Sequence, residues 1–455
     1  MVNTSRGSGG DTTIKSDFVF ECQPDCSVFV RPAGPPTFDD HLPTITYSPA
    51  SLEFVVEFKL SASADPFVVP KKRTGEETTR SESPLMNTTV TTRAVVGQIT
   101  AYATQILSSQ YRTHAFTVLI CHNLARLIRW DRAGAIVTEP IYYNDDSYLH
   151  DFLTRYNDAL PNIRGHDCTV TPISNSIRPD LFQRAQSVVH ELAKEDYLLL
   201  LAIPGPDSDG RPTSRSFAVS QPRVEPEIPT GRWTWTSIAY DVERNQRVFL
   251  KDSWRALIDD IEPEGVVYNL LLKGNVPNVP VCSVASDIGG RLHVTYTDRF
   301  VEKYLEYKPP HFTAHRHYRL VLDTIGRKLE EFPCTRVMVE AVRAAVHGKC
   351  RWLIYSASLT HIAAHRRAWS IGILHRDLSP GNIMIVENEE VNIKHGLLID
   401  WDLCKVFKRS GSQDGLTPPA HRYARTVSSM FCVQYFPSPD ILLPGNMAVY
   451  GSGAH

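Results

Sequence analysis

The segment His375-Arg376-Asp377-Leu378-Ser379-Pro380-Gly381-Asn382 is bracketed by apolar residues, Ile373-Leu374 before it and Ile383-Met384-Ile385 after it. A second apolar run, Leu397-Leu398-Ile399, ends in Asp400-Trp401-Asp402. The chemistry such a set can do is phosphoryl transfer. That reaction asks for a carboxylate beside the attacking hydroxyl and for oxygen ligands that hold Mg²⁺ on the phosphates. Asp377 is the candidate for the first task. Asn382 and Asp400, both hard oxygen donors, are the candidates for the second. Asp377 and Asn382 stand five positions apart, the separation in H-R-D-x-x-x-x-N, and Asp400 ends a strand as the Asp of D-F-G does. A lone His-Arg-Asp triplet carries little information; the strand, loop and strand around it supply the setting that the chemistry needs.

The elements that must position these residues follow from periodicity and breakers. Residues 71–92 are rich in Thr, Ser, Glu and Arg and read as an exposed loop. Residues 204–230 carry six prolines and Asp207-Ser208-Asp209-Gly210, which predicts a linker, because proline donates no ladder hydrogen bond and breaks helices. The expected organisation is an N-terminal strand region and polar loop over 1–92 and an α+β domain over 93–203, by itself or as one unit with 1–92. A Pro-rich linker over 204–230, a catalytic domain over 231–426 and an atypical tail over 427–455 follow. In the first half, strands are predicted at 52–58, 116–120, 124–130 and 135–138, with helices at 93–111 and 148–156. In the second, strands at 237–240 and 247–251 flank a hairpin turn, a helix covers 262–272, and strands cover 292–296 and 319–324. An amphipathic helix at 335–346 and a helix at 352–369 then lead to the catalytic loop. The expected fold class is α+β.

His375 to Asn382, taken with Leu398-Ile399-Asp400-Trp401-Asp402-Leu403, resembles the fungal-type protein kinase family, a divergent branch of the protein kinase-like fold. Further pieces agree in order: Ala125-Arg126-Leu127, Arg129-Trp130-Asp131-Arg132-Ala133-Gly134, Val248-Phe249-Leu250-Lys251-Asp252-Ser253-Trp254-Arg255, Glu264-Gly265 and Ile325-Gly326, so that the resemblance spans about 93–425. It implies a small N-terminal α+β domain followed by a bilobal kinase-like domain, with ATP and Mg²⁺ as cofactors and Ser/Thr hydroxyls of a protein substrate as acceptors. It implies that Lys251 meets the α/β-phosphates and pairs with an acid of the next helix, Glu264, with Glu262 as the alternative. Asp377 would orient the hydroxyl, Asn382 and Asp400 would hold the metal, and Lys251, Glu264 and Asp400 would form the ATP site. His375 and Arg376 take structural parts in that comparison. Ser379 stands where most protein kinases carry Lys, as it does in this family. Asp402 reads as a second metal ligand or, preferably, a strand-end cap.

Two departures temper the expected activity. Gly231-Arg232-Trp233-Thr234-Trp235-Thr236-Ser237 stands where a glycine-rich phosphate loop is expected, with one Gly. Backbone amides approach phosphates less freely past Trp233 and Trp235. In the family the counterparts of Arg425-Thr426 are followed by Gly-Thr-Trp-Gln-Phe, whereas this chain has Val427-Ser428-Ser429-Met430-Phe431. A C-terminally truncated or mis-spliced chain with an incomplete C-terminal lobe, weak or inactive as a kinase, is therefore expected. The alternatives are a pseudokinase or binding module, and a small-molecule kinase of the aminoglycoside phosphotransferase type, to which Ile399-Asp400-Trp401 is also suited. A Glu57-x-Lys59 pair with Asp39-Asp40, Gln98 and Tyr102 resembles a nuclease core weakly, and ordinary strand-end charges are the better reading.

Composition bounds the rest. The chain of 455 residues is 42% hydrophobic with formal net charge −2, which gives no global attraction to nucleic acid or anionic membrane. No apolar run reaches the length of a membrane span and the first residues lack a signal-peptide core, so a cytoplasmic or nuclear location is expected. Pro70-Lys71-Lys72-Arg73 is a weak import patch, usually solvated surface. Among the nine Cys only Cys22 and Cys26 are close, so buried reduced thiols are expected.

Overall fold

Runs of β-branched and aromatic residues between turn signals fold as strands, and two seven-stranded sheets carry most of the chain. The structure, a computed structural model, describes residues 2–4, 24–29, 51–68, 86–206, 211–222, 228–259, 261–304, 312–346, 364–388, 393–407 and 431–433. Asp39, Asp40, Cys22 and the Pro70–Arg73 patch lie outside the described residues.

The first sheet holds β1 (Val2–Thr4), β2 (Cys26–Phe29), β3 (Leu52–Lys59), β4 (Ala115–Cys121), β5 (Leu124–Asp131) and β6 (Gly134–Val137) in sequential order. Helix α1 (Val90–Ser109) is the crossover between the parallel strands β3 and β4. The Thr89 hydroxyl caps it by accepting from the Thr92 N–H at 3.2 Å. Ile99, Ala103 and Ile106 of α1 are fully buried in a core shared with Leu119 and Trp130. The opposite face of the sheet is closed by α2 (Tyr148–Asp158), whose Tyr156 packs edge-on against Phe54 and Phe116 and whose Phe152 packs edge-on against Phe54.

The second sheet runs β12-β13-β11-β10-β9-β8-β7. Its members are β7 (Val170–Ser174), β8 (Tyr197–Pro206), β9 (Pro212–Val219), β10 (Thr234–Asp241), β11 (Gln246–Ala256), β12 (Cys282–Asp287) and β13 (His315–Leu322). Helix α3 (Pro179–Val188) lies between β7 and β8, α4 (Glu264–Lys273) between β11 and β12, and α5 (Thr297–Tyr304) between β12 and β13. Beyond the sheet come β14 (Arg327–Lys328), α6 (Thr335–Val346), α7 (Ala364–Ser370), β15 (Ile373–Leu374), β16 (Ile383–Asn388), β17 (Ile393–Leu398) and β18 (Lys405–Val406). β14, β16 and β17 form a small antiparallel sheet, and β15 pairs with β18. β19 (Phe431–Val433) lies parallel to β6 at the edge of the first sheet. The fold class is α+β.

Two expectations need correction, and a third is met only over the described residues. Residues 204–230 are no simple linker, for β8 and β9 form a hairpin over Leu199–Val219 that joins the upstream strand β7 to β10. The prolines are accommodated because Pro204, Pro206 and Pro212 sit at the turn end of that hairpin, where the ladder finishes and few donors are needed. Residues 292–296 are not a strand; after Gly290, at φ +102°, the chain makes a 3₁₀ turn over Arg291–His293 and a single bridge from Val294 to Arg316. Of the helix expected at 352–369, α7 carries the end, and 352–363 lie outside the described residues.

The halves interlock. Asp131, in the β5–β6 turn, accepts from the backbone N–H of Tyr296 at 2.8 Å and Thr297 at 3.0 Å, capping α5. Phe300 of α5 is buried with Phe54 and Phe116 on the first sheet. Arg319 of β13 donates to Asp167 and Asp252, each at 2.6 Å, and Asp167 belongs to the segment before β7.

Candidate active site

Side chains alternate along a strand, so consecutive residues face opposite sides. Lys251 and Asp252 of β11 show this. Asp252 enters the buried network of Arg319 and His317, while Lys251 faces α4 and the segment after β17. Lys251 Nζ lies 2.7 Å from Glu264 Oε2, 2.5 Å from Asp400 Oδ1 and 3.8 Å from Asp402 Oδ2. Glu264 is in the first turn of α4, and its second oxygen accepts from the Trp401 N–H at 3.1 Å. One carboxylate thus ties the lysine strand to the backbone after Asp400. Glu262 is exposed, so the geometry selects Glu264 from the two acids.

The loop from His375 to Asn382 is held by its backbone. Buried His375 bonds through Nε2 to the Ile399 carbonyl at 2.9 Å and through Nδ1 to the Asp377 N–H at 3.3 Å. This pattern fixes one tautomer, the Nε2–H donating and Nδ1 accepting. Burial holds the ring's pKa below its ordinary value, in keeping with a neutral imidazole. The Asn382 amide donates to the Asp377 carbonyl at 2.8 Å, which leaves its side-chain oxygen as the acceptor available to a cation. The Ile399 N–H in turn donates to the Asn382 carbonyl at 3.0 Å, joining the two segments. Arg376 and Asp400 both adopt left-handed backbone, φ +72° and +63°. Such conformations are uncommon for residues other than Gly and gather at functional loops.

A single core stabilises this arrangement. Val267, Tyr268 and Leu271 of α4 share it with Ala341 and Ala345 of α6, Ile383 and Ile385 of β16, Leu398 of β17, and Trp401. Trp401 is fully buried, its indole N–H donating to the Leu398 carbonyl at 3.1 Å and its ring edge-on to His375 at 4.5 Å. Asp400 is placed between a buried tryptophan and the lysine.

The electrostatics divide the acids. Burial works against the Lys251 ammonium, but Glu264, Asp402 and Asp400 outweigh it and raise its pKa, so it is charged. Burial raises the Asp400 carboxyl, and Lys251 overrides that to hold it below its usual value, so Asp400 is ionised. Glu264, more deeply buried and beside two other carboxylates, is pushed up to about 7 despite Lys251. Burial also raises Asp402.

Asp402 is an ion-pair partner rather than a strand cap, since Arg232 Nη1 lies 2.7 Å from its Oδ2. Arg232 belongs to the loop before β10, and sequence reasoning did not give it a part. A lone Gly followed by Arg where several Gly were expected was the available signal. A second buried group, Asp167, His293 and His317, has ligand-type atoms within 4.8 Å of one another. Arg319 and Asp252 complete it: both carboxylates accept from the Arg319 guanidinium at 2.6 Å, and Asp252 also meets His317 Nε2 at 2.8 Å, so the carboxylates are already partnered. It reads as a network that fastens β13 to the segment before β7. On the first sheet, Glu57 is buried with the Tyr102 hydroxyl at 3.0 Å and its neighbour Lys59 against it, a strand-end cluster.

Residues 284–430 match the family described as fungal protein kinase. Over these residues the chain is similar to that family. The match includes Asp377, Asn382 and Asp400 and runs past Val427. Lys251 and Glu264 precede the matched residues, and the structure brings them to Asp400 within the matched segment. No curated protein matches the chain. Among the described residues, no helix is long and apolar enough to cross a membrane.

Proposed function

We propose that this protein transfers the γ-phosphoryl group of ATP to Ser/Thr hydroxyls of a protein substrate. The observation that carries the reading is the convergence of Lys251, Glu264 and Asp400 from three separate elements, next to a loop whose backbone is fixed by His375 and Asn382. In this reading Asp377 orients the attacking hydroxyl and accepts its proton as transfer completes. Lys251, kept in place by Glu264, meets the phosphate oxygens. Asn382 Oδ1 and the ionised Asp400 carboxylate are oxygen donors of the kind Mg²⁺ takes; Asn382 immediately precedes β16 and Asp400 follows the end of β17. When bound there, Mg²⁺ neutralises phosphate charge. The kinase-like unit spans 231–426 with β7, β8 and β9 extending its sheet, and the protein works in the cytoplasm or nucleus, where ATP is available.

One observation favours a nucleotide-binding module without turnover as the second reading: the Gly231 N–H donates to the Arg132 carbonyl at 2.7 Å instead of facing the cleft. The readings part in a radiolabelled-phosphate assay on a generic basic protein, comparing the chain with Asp377→Ala. Asp377-dependent incorporation supports the kinase. Mg-ATP binding with no Asp377-dependent incorporation supports the module.

A further inference from the structure

In a glycine-rich phosphate loop the backbone N–H groups contact the phosphates directly. The loop before β10 is built the other way. Gly231, at φ +101°, has its N–H bonded to the Arg132 carbonyl at 2.7 Å. The carbonyls of Arg232 and Trp233 accept from the Trp254 N–H at 2.9 and 3.1 Å, pinning both peptides to β11. Arg132 clamps the same loop by side chain. Its guanidinium lies 4.6 Å from the Trp233 ring centroid and donates to the Pro229 carbonyl at 3.0 Å and to the Leu107 carbonyl of α1 at 2.9 Å. The loop's fixed backbone therefore presents the Arg232 guanidinium to the cleft, where it shares Asp402 with Lys251.

Charge gives this a purpose. Glu264, Asp400 and Asp402 face Lys251 and Arg232, three carboxylates against two cations. Without Arg232 the site would carry one further unit of negative charge at the place where a polyphosphate must enter. Arg232 is about one-third exposed, so its guanidinium can exchange a carboxylate for a phosphate without unpacking a core, and the planar fork of Arg suits phosphate oxygens.

We propose that Arg232 is the phosphate-binding residue of this cleft, replacing the backbone amides of a glycine-rich loop, with Arg132 of the first sheet as its positioning residue. The inference rests on the ATP-dependent reading above. The test is calorimetry of the full chain with Mg-ATP, and ligand-observed NMR with adenosine, on the unsubstituted protein, Arg232→Ala and Arg232→Lys. The expected result is a loss of about tenfold or more in Mg-ATP affinity for Arg232→Ala, a smaller loss for Arg232→Lys, and adenosine binding unchanged in both. Equal or tighter Mg-ATP binding by Arg232→Ala overturns the inference alone, as does parallel loss of adenosine, which would mark a structural part. An unsubstituted chain that binds no Mg-ATP overturns the ATP-dependent reading, and this inference with it.

Discussion

Asp400 and Glu264 meet the same lysine and titrate in opposite directions. The lysine wins over burial at Asp400, which is about one-third exposed; burial wins at Glu264, which has two carboxylate neighbours besides. Two predictions follow at this scale. Asp400→Ala should abolish Mg²⁺-dependent ATP binding while far-UV circular dichroism stays unchanged, and metal-dependent binding of undiminished affinity in that variant would refute the assignment. The second concerns pH. With Glu264 raised to about 7, lowering pH through 7 protonates it and loosens its ion pair with Lys251. If the free enzyme turns over, kcat/KM should show an acid limb with an apparent pKa near 7, and Glu264→Gln should remove the limb while lowering the plateau. A flat profile between pH 6 and 8 would show that this pair does not limit the reaction.

Helix α4 is the element on which the site depends, and its closeness to the sheet is set by one residue. Gly265 donates its N–H to the Tyr318 hydroxyl at 2.8 Å, and a Cβ there would collide with Ala285 Cβ and the Tyr318 hydroxyl. Ala is favoured over Gly in a helix by about 1 kcal/mol, but overpacking a dense core costs roughly 1–3 kcal/mol, so the clash should prevail. Gly265→Ala is expected to lower stability and to weaken Mg-ATP binding together, since moving α4 carries Glu264 away from Lys251. A variant of raised Tm and unchanged ATP affinity would mean that α4 has slack.

Across the whole molecule, the two sheets are joined by the Asp131 cap on α5, by Arg132 on the loop before β10 and by Arg319 on Asp167. A single cooperative thermal transition is expected, and two resolved transitions would mean independent domains. Acid stability should be set largely by carboxylates held low in the fold. Glu53 is fully buried; burial raises its pKa, but the His166 bond and the Arg112 and Arg164 charges hold it at about 2 against 4.5 unperturbed. A depressed carboxylate contributes stability present above the unfolded value and lost as pH falls through the folded one, here between about 4.5 and 2. Glu53→Gln should cost about 3 kcal/mol at neutral pH, through the unpaired Arg112, and flatten the stability profile in that window. An unchanged urea midpoint at pH 7 would show that Arg112 finds other partners.

Local chemistry was legible from residue order alone. The His375–Asn382 loop, the strand ending at Asp400 and the β11 lysine are each set by near neighbours, and so are the hairpins and α1, whose periodicities are short-range. Gly265 and the choice of Glu264 were readable only through resemblance, because the distance between a helix and a lysine strand is a property of packing. What only the tertiary structure decided is long-range. The prolines of 204–219 looked like a linker, yet pairing with β7 and β10 outweighed their poor strand propensity. Arg232 and Asp402 are 170 positions apart and meet across the cleft. Arg132 and Asp131 read as turn residues and prove to fasten the first sheet to the loop before β10 and to α5. A sequence specifies such partners only through the whole fold, since an ion pair or a cap forms wherever packing brings the groups together, and no short window of residues contains that information.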